Sequence, residues 1–200
     1  MAEALHSIAG EQVRAQATVG GCVRLMQQRG SPQFPSAADP STWFPSDLTP
    51  VLLALNTKVT LVNAESKAET TLPLHSLVAG FIKDKDWEKT IIISIQIPRC
   101  GKAAVVKHYR VARRLQNSHA LVNACLKATV TICEDGARLS NVAIWFGCVS
   151  ANPLQAVAAQ GVLEGEILSN ENLNAALNAL ETTCFPKVRR SRLCPGSRWE

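Results

Sequence analysis

Three strand-like segments follow one another in the second half of the sequence, and this succession limits the possible folds more than any other feature. They cover residues 103–114, 120–133 and 138–149. Only Glu134–Ala137 separates the last two segments, which is the length and composition of a tight hairpin turn. Two helical patterns follow, over residues 153–165 and 171–184. This order predicts three antiparallel strands backed by two helices, because the apolar face of such a sheet needs cover.

The first hundred residues predict a second, mixed unit. Residues 17–26 have the pattern of a strand that enters a glycine turn, and residues 47–55 have the pattern of a short apolar helix. Strands are expected at 58–63 and, most clearly, at 90–98, where Pro98 ends the ladder because it has no N–H to donate. The remaining segments are predicted as a loop at 27–43, a turn at 66–71, a strand and helix within 71–84, and a charged connection at 83–89.

The predicted fold class is therefore α+β, in two small units. The first unit covers residues 1–100 and the second covers residues 101–187, and the basic segment 188–200 is predicted to be a disordered tail. Apolar residues make up 46% of the chain, which is typical of a folded globular protein.

Charge, cysteine content and hydropathy each exclude a class of function. The net charge is +5, but five basic residues lie in the last fourteen positions, so no basic face for nucleic acid is indicated. The seven cysteines form no CxxC pair and no cluster with histidine, which argues against a zinc or iron–sulfur site and favours free thiols in a reducing compartment. No apolar run reaches the length of a membrane helix. We expect a cytoplasmic protein that binds neither nucleic acid nor membrane.

The first candidate site is the glycine pair Gly20 and Gly21. Adjacent glycines permit positive φ and remove the Cβ atoms that keep a ligand away from the backbone, so a phosphate or a flavin could approach the N–H groups. A plain turn explains the same pair without any ligand.

The second candidate is Ser46 with Asp47, immediately before an apolar helix. Either side chain could cap that helix by accepting hydrogen bonds from its first amides. Alternatively, Asp47 could accept a hydrogen bond from a ligand.

The third candidate is the segment 108–124, where Arg110, Arg113 and Arg114 lie near two histidines and could hold an anion. On an alternating strand, Arg110 and Arg114 would share one face and Arg113 the other, and a solvated arginine face is the simpler reading. No nucleophile–base pair and no GxGxxG, GxxxxGK or HExxH motif is present, so no catalytic residue is assigned.

Taken in order, these segments resemble the FAD-binding domain of the molybdenum hydroxylases, the group of aldehyde oxidase and xanthine dehydrogenase, and are nearer to aldehyde oxidase. The resemblance runs from Ile8 to Pro186. The segments that carry it are 9–21, 44–55, 90–98, 108–124 and 142–165. It implies the second part of a PCMH-type FAD-binding subdomain, followed by a subdomain like the C-terminal domain of CO dehydrogenase flavoprotein.

The resemblance also implies a set of FAD contacts. Ile8 falls where the family usually has an aromatic residue, and Cys22 falls where it commonly has asparagine, which removes an amide donor and acceptor. The positions that match FAD-binding positions of the family are Ile8, Thr18, Val19, Gly20, Gly21, Cys22, Ser46, Asp47, Ile91, Ile92 and Arg110.

In the complete family enzymes the flavin receives electrons from molybdenum through two [2Fe–2S] clusters and passes them to NAD or oxygen. The resemblance therefore implies iron–sulfur and molybdenum-cofactor domains or subunits as partners, and this chain is not expected to be a complete catalyst alone. The family's domain begins with a glycine-containing loop for the FAD pyrophosphate that this sequence does not contain. We therefore expect weak FAD binding or none, and the alternative is a truncated remnant that retains no FAD.

Overall fold

The structure, a computed structural model, describes residues 2–27, 46–78, 89–149 and 152–183. The predicted loop at 27–43, the predicted connection at 83–89 and the predicted tail at 188–200 lie outside these residues, apart from Gln27 and Lys89. The α+β class is confirmed. Within the described part of the chain, no helix has the length and apolar character needed to cross a membrane.

The first half forms a small antiparallel sheet, and within the described residues four helices precede its first strand in the sequence. Its elements are α1 (Ala2–His6), α2 (Glu11–Gln16), α3 (Val19–Gln27), α4 (Thr49–Ala54), β1 (Lys58–Asn63), β2 (Glu69–Pro73), α5 (Leu74–Val78) and β3 (Thr90–Gln96). The strand order is β2-β1-β3. The central strand β1 pairs on both of its edges, and its residues Val59, Thr60 and Leu61 are buried.

The second half forms a larger antiparallel sheet covered by two helices. Its elements are β4 (Ala104–Ala112), β5 (Ala120–Cys133), β6 (Gly136–Gly147), β7 (Leu154–Gln155), α6 (Val157–Leu163) and α7 (Asn170–Thr183). The strand order is β4-β5-β6-β7, so the predicted three-stranded sheet is confirmed and a fourth, two-residue strand extends it. The predicted hairpin closes with Cys133 opposite Gly136, and Gly136 adopts the positive φ of 133° that a side chain would disfavour.

Two local predictions are wrong. The segment predicted as a strand and glycine turn is the helix α3, because Val19, Cys22 and Val23 have helical spacing and pack against the core on one face. Gly20 and Gly21 therefore lie in helical backbone, and neither has positive φ. The turn predicted at 66–71 ends early, since β2 begins at Glu69 and pairs with β1.

The helix α4 joins the two halves. All six of its residues are buried, and it packs in one core cluster with Cys125 of β5 and Trp145 of β6. A second cluster lies between the larger sheet and the helices α6 and α7, around Ala128, Ile144 and Ala159. The segment just before α4 is consequently held between the two sheets.

Candidate cofactor-binding site

A cavity of about 780 Å³ opens between the N-terminal helices, the segment before α4 and the bend that follows β4. Its apolar floor comes from the helices α1 to α3 and the turns that join them. The floor residues are Ile8, Ala9, Val13, Ala17, Cys22 and Leu25. Ser46–Leu48 forms one wall, and Arg113, Arg114 and residues 117–121 form the other. This size and this mixture of apolar floor and polar rim are typical of a small-molecule site.

The loop between α1 and α2 is held in place by Arg14. One guanidinium nitrogen, Nη1, donates to the carbonyl oxygens of Ile8 at 2.7 Å and of His6 and Ala9, each at 3.2 Å. Ala9 has a φ of 45°, an uncommon conformation for a residue with a side chain. A Cβ atom on the next residue, Gly10, would lie 2.8 Å from Oδ1 of the exposed Asn117 side chain, so the loop approaches the opposite wall closely at this point.

Beside the cavity, four residues form a buried network that we call the polar junction: Ser46, Asp47, Arg110 and Asn123. Arg110 Nε donates to Asp47 Oδ2 at 2.9 Å, and the two side chains are only 7% and 9% exposed. Asn123 Nδ2 donates to Asp47 Oδ1 at 2.8 Å and to the Ser46 carbonyl oxygen at 3.2 Å. Arg110 Nη2 also donates to the carbonyl oxygen of Ser118. The junction thus ties the segment before α4 to β4 and β5.

The charges of the polar junction act on two neighbouring groups. Burial lowers the pKa of His108 on β4, while Asp47 raises it and Arg110 lowers it. Burial also raises the pKa of the Cys148 thiol to about 12, with Asp47 adding to the rise and Arg110 opposing it. In both cases the carboxylate and the guanidinium act in opposite directions. The pair therefore places little net charge beside the cavity.

Of the two residues predicted to cap α4, Ser46 does so and Asp47 does not. Ser46 caps the first turn of α4, because its Oγ accepts from the Thr49 N–H at 3.2 Å and from the Thr49 hydroxyl at 2.7 Å. Asp47 does not cap the helix, since its two carboxylate oxygens accept hydrogen bonds from Arg110 and Asn123 instead. Thr18 caps α3 in the same way, with its Oγ1 accepting from the Gly21 N–H at 2.9 Å. This cap is the sequence signal for a helix at residue 19.

The structure brings only part of the predicted contact set to the cavity. Ile8, Cys22, Ser46 and Asp47 line it. Thr18 and the first residues of α3, Val19, Gly20 and Gly21, lie between the lining residues Ala17 and Cys22 but do not line the cavity themselves. The remaining predicted contacts do not line it either: Ile91 is 55% exposed on β3, Ile92 packs against the core, and Arg110 belongs to the polar junction.

The simple reading of a solvated arginine face is wrong for Arg110, whose side chain is buried in the ion pair. Strand β4 ends at Ala112, so Arg113 and Arg114 lie on a bend rather than on the alternating strand. Both are exposed and line the cavity. Sequence reasoning missed Asn123, whose one available signal was an amide inside the otherwise apolar segment 120–126 of β5.

Comparison with protein families identifies the class. Residues 1–100 match the FAD-binding domain in molybdopterin dehydrogenases, and residues 107–192 match the C-terminal domain of CO dehydrogenase flavoproteins. The chain therefore belongs to the family of FAD-binding domains of molybdopterin dehydrogenases, and FAD is the cofactor of that family.

Individual relatives agree with this family. The chain is 29% identical over 154 residues to aldehyde oxidase 4 of Mus musculus, and the aligned region covers 76% of this chain and 10% of the relative. It is also 29% identical over 138 residues to xanthine dehydrogenase of Emericella nidulans, which covers 68% of this chain and 10% of the relative. The chain spans about a tenth of the length of these curated relatives.

The fold is also found in solved structures. A carbon monoxide dehydrogenase from Hydrogenophaga pseudoflava, a form that lacks the Mo-pyranopterin moiety of the molybdenum cofactor, superimposes with a TM-score of 0.68 at 20% sequence identity. The match covers 91% of this chain and 55% of the neighbour. At this identity the comparison establishes the shared fold.

Proposed function

We propose that this chain is the FAD-binding portion of a molybdenum–flavin oxidoreductase, located in the cytoplasm, in which it carries electrons from iron–sulfur clusters to NAD or oxygen. The observation that carries the proposal is the cavity itself. Its walls come from both family-matched segments, and four of the positions expected to contact FAD line it.

The residues of the cavity fit a flavin in two respects. The apolar floor suits a flat, weakly polar ring. Arg114 brings a positive charge to one wall, which suits an anionic cofactor, because the nearby carboxylate of Asp47 is already neutralised by Arg110. Gly20 does not line the cavity, but it lies between the lining residues Ala17 and Cys22, and an added Cβ there would meet no protein atom within 4 Å, so the protein's own packing does not require glycine at this position.

The chain's residues would bind and orient the cofactor rather than perform chemistry on a substrate. When bound, the flavin supplies the electron-carrying group. Ile8 and Cys22 would exclude water from one side of the ring site. The first amides of α3, at Val19 and Gly20, have no partner within the helix and would donate to the cofactor. Ser46 and Asp47 would supply the polar wall, which Arg110 and the cap of α4 hold in place.

Titration of the isolated chain with FAD, followed by flavin fluorescence and calorimetry, tests the proposal. We expect saturable binding with a dissociation constant weaker than about 1 µM, because both carboxylate oxygens of Asp47 already accept internal hydrogen bonds and the surface of the cavity is mostly apolar. A sub-micromolar constant would contradict this expectation. Absence of saturable binding at millimolar FAD would support the alternative of a remnant that retains no FAD.

A matched pair of variants locates the binding site. Leu121 lines the cavity and is 56% exposed, whereas Ile132 is 80% exposed near the tip of the β5–β6 hairpin and does not line the cavity. Both positions tolerate a polar residue because both already face solvent. We expect Leu121→Glu to weaken FAD binding about tenfold or more through charge repulsion and lost apolar contact. Ile132→Glu should leave binding unchanged, and equal effects of the two variants would place the flavin elsewhere.

A further inference from the structure

We propose that Asn123 is a positioning residue of the cofactor site: its side-chain amide fixes the Ser46–Asp47 wall of the cavity from behind. The inference rests on the proposed function, because it concerns the same cavity. Asn123 does not line that cavity. It reaches the wall across 76 residues of sequence through its two hydrogen bonds, one to the Asp47 carboxylate and one to the Ser46 carbonyl.

The side chain of Asn123 has no freedom to point elsewhere. The residue is 1% exposed. A Cβ atom on Gly147 would lie 2.1 Å from Asn123 Oδ1, so the backbone of β6 packs directly against the amide, and Pro50 Cγ of α4 lies 2.9 Å from the same Cβ position. A group confined in this way transmits its own position to whatever it binds.

The two ends of the Asn123 amide differ in their hydrogen bonding, and the difference shows that the NH₂ group is the one that matters. Among the described residues, no group donates to Asn123 Oδ1, although the atom is fully buried. A buried polar atom without a partner is destabilising, and a leucine of similar size would avoid that cost. The advantage of asparagine here is therefore its NH₂ group, and both observed bonds of that group go to the cavity wall.

A neutral donor is also required by the charges nearby. Asp47 is paired with one cation, Arg110, and a second carboxylate at position 123 would face Asp47 at hydrogen-bonding distance. Two carboxylates so close share a proton, so that one of them titrates at raised pH. The variant Asn123→Asp would accordingly lack both donated hydrogen bonds at neutral pH and recover one of them when the pair takes up a proton.

The experiment combines amide hydrogen exchange and FAD titration on the full chain, for the wild type, Asn123→Asp and Asn123→Leu. In both variants at neutral pH we expect the amides of residues 47–49 to exchange about tenfold faster and FAD to bind about tenfold more weakly. As the pH falls from about 7 to about 5, Asn123→Asp should regain part of both properties, each compared with the wild type at the same pH, and Asn123→Leu should regain neither. Should the leucine variant fail to fold, the pH profile of the aspartate variant still decides.

Asn172→Leu is the matched control, because Asn172 also donates a side-chain hydrogen bond to a backbone carbonyl, that of Ile167 at 2.9 Å, and neither residue lines the cavity. It should leave exchange at residues 47–49 and FAD affinity unchanged. Unaltered exchange at 47–49 in Asn123→Asp would overturn the inference, and so would faster exchange with unaltered FAD affinity. If the wild type binds no FAD while the exchange pattern is as expected, the proposed function fails and the positioning role of Asn123 stands.

Discussion

Three residues of the polar junction (Ser46, Asp47 and Arg110) and the glycine pair of α3 were predicted to contact the cofactor, yet the fold constrains the two regions in opposite ways. At the junction, Asp47 has both carboxylate oxygens occupied by internal donors. At Gly20, an added Cβ would meet open space, and the residue is neither strained nor tightly packed. The junction is fixed by the fold before any ligand arrives, whereas the packing gives no reason for glycine at position 20. A Cβ on Gly21, by contrast, would lie 2.9 Å from Thr18 Oγ1.

This difference separates two kinds of site residue. A residue of the junction influences binding through the shape of the wall, so its loss should destabilise the protein first. A residue such as Gly20 would influence binding by leaving room for the ligand, so its substitution should affect affinity without harming the fold. Stability and FAD affinity measured on the same variants therefore test the comparison.

The largest effect is expected for Asp47→Asn, which removes the charge that pairs with buried Arg110. Loss of one partner from a buried ion pair leaves the other charge uncompensated, and we expect the free energy of unfolding to fall by about 3 kcal/mol. Urea denaturation measures it. The control is Glu65→Gln, which breaks an exposed ion pair with Lys89 and should cost less than about 1 kcal/mol. Similar losses in the two variants would mean that the junction does not stabilise the fold.

A smaller loss is expected for Gly147→Ala, since the new methyl group would collide with Asn123 Oδ1 and with Pro50. We expect about 2 kcal/mol of destabilisation, the usual range for overpacking a core. Gly161→Ala in α6 is the control, because a Cβ there meets nothing within 4 Å. If thermal or urea unfolding of Gly147→Ala matches the wild type, the junction is looser than its geometry indicates.

The smallest change in stability, and of opposite sign, is expected for Gly20→Ala. Alanine suits helical backbone better than glycine, and the site has room, so stability should rise by about 0.5 kcal/mol. Gly161→Ala should give a similar gain. FAD affinity should fall in Gly20→Ala alone, measured by the same fluorescence titration. Unchanged affinity would remove Gly20 from the predicted FAD contacts and leave Ile8, Cys22, Ser46 and Asp47, which line the cavity.

The sequence predicted most of the second half and less of the first. The alternating pattern of β4 and the turn before Gly136 were sufficient, because antiparallel strands joined by short turns pair locally. Residues 17–26 were wrongly predicted as a strand and turn, because two glycines reduce helix propensity by about 1 kcal/mol each and are typical of a turn. The apolar spacing of Val19, Cys22 and Val23, together with the Thr18 cap, was the stronger signal, since it describes the face that packs against the core.

What the sequence by itself determined was the family, the α+β class, the strands of the larger sheet and a set of expected FAD contacts that remains a prediction. Tertiary structure decided how those residues are used. The pairing of Asp47 with Arg110 spans 63 positions, and that of Asp47 with Asn123 spans 76. No local pattern encodes such contacts, because they exist only once α4 is packed against β5 and β6 and water is excluded from the charges. Whether an arginine is solvated or buried, and whether an aspartate caps a helix or binds a neighbour, follows from that packing.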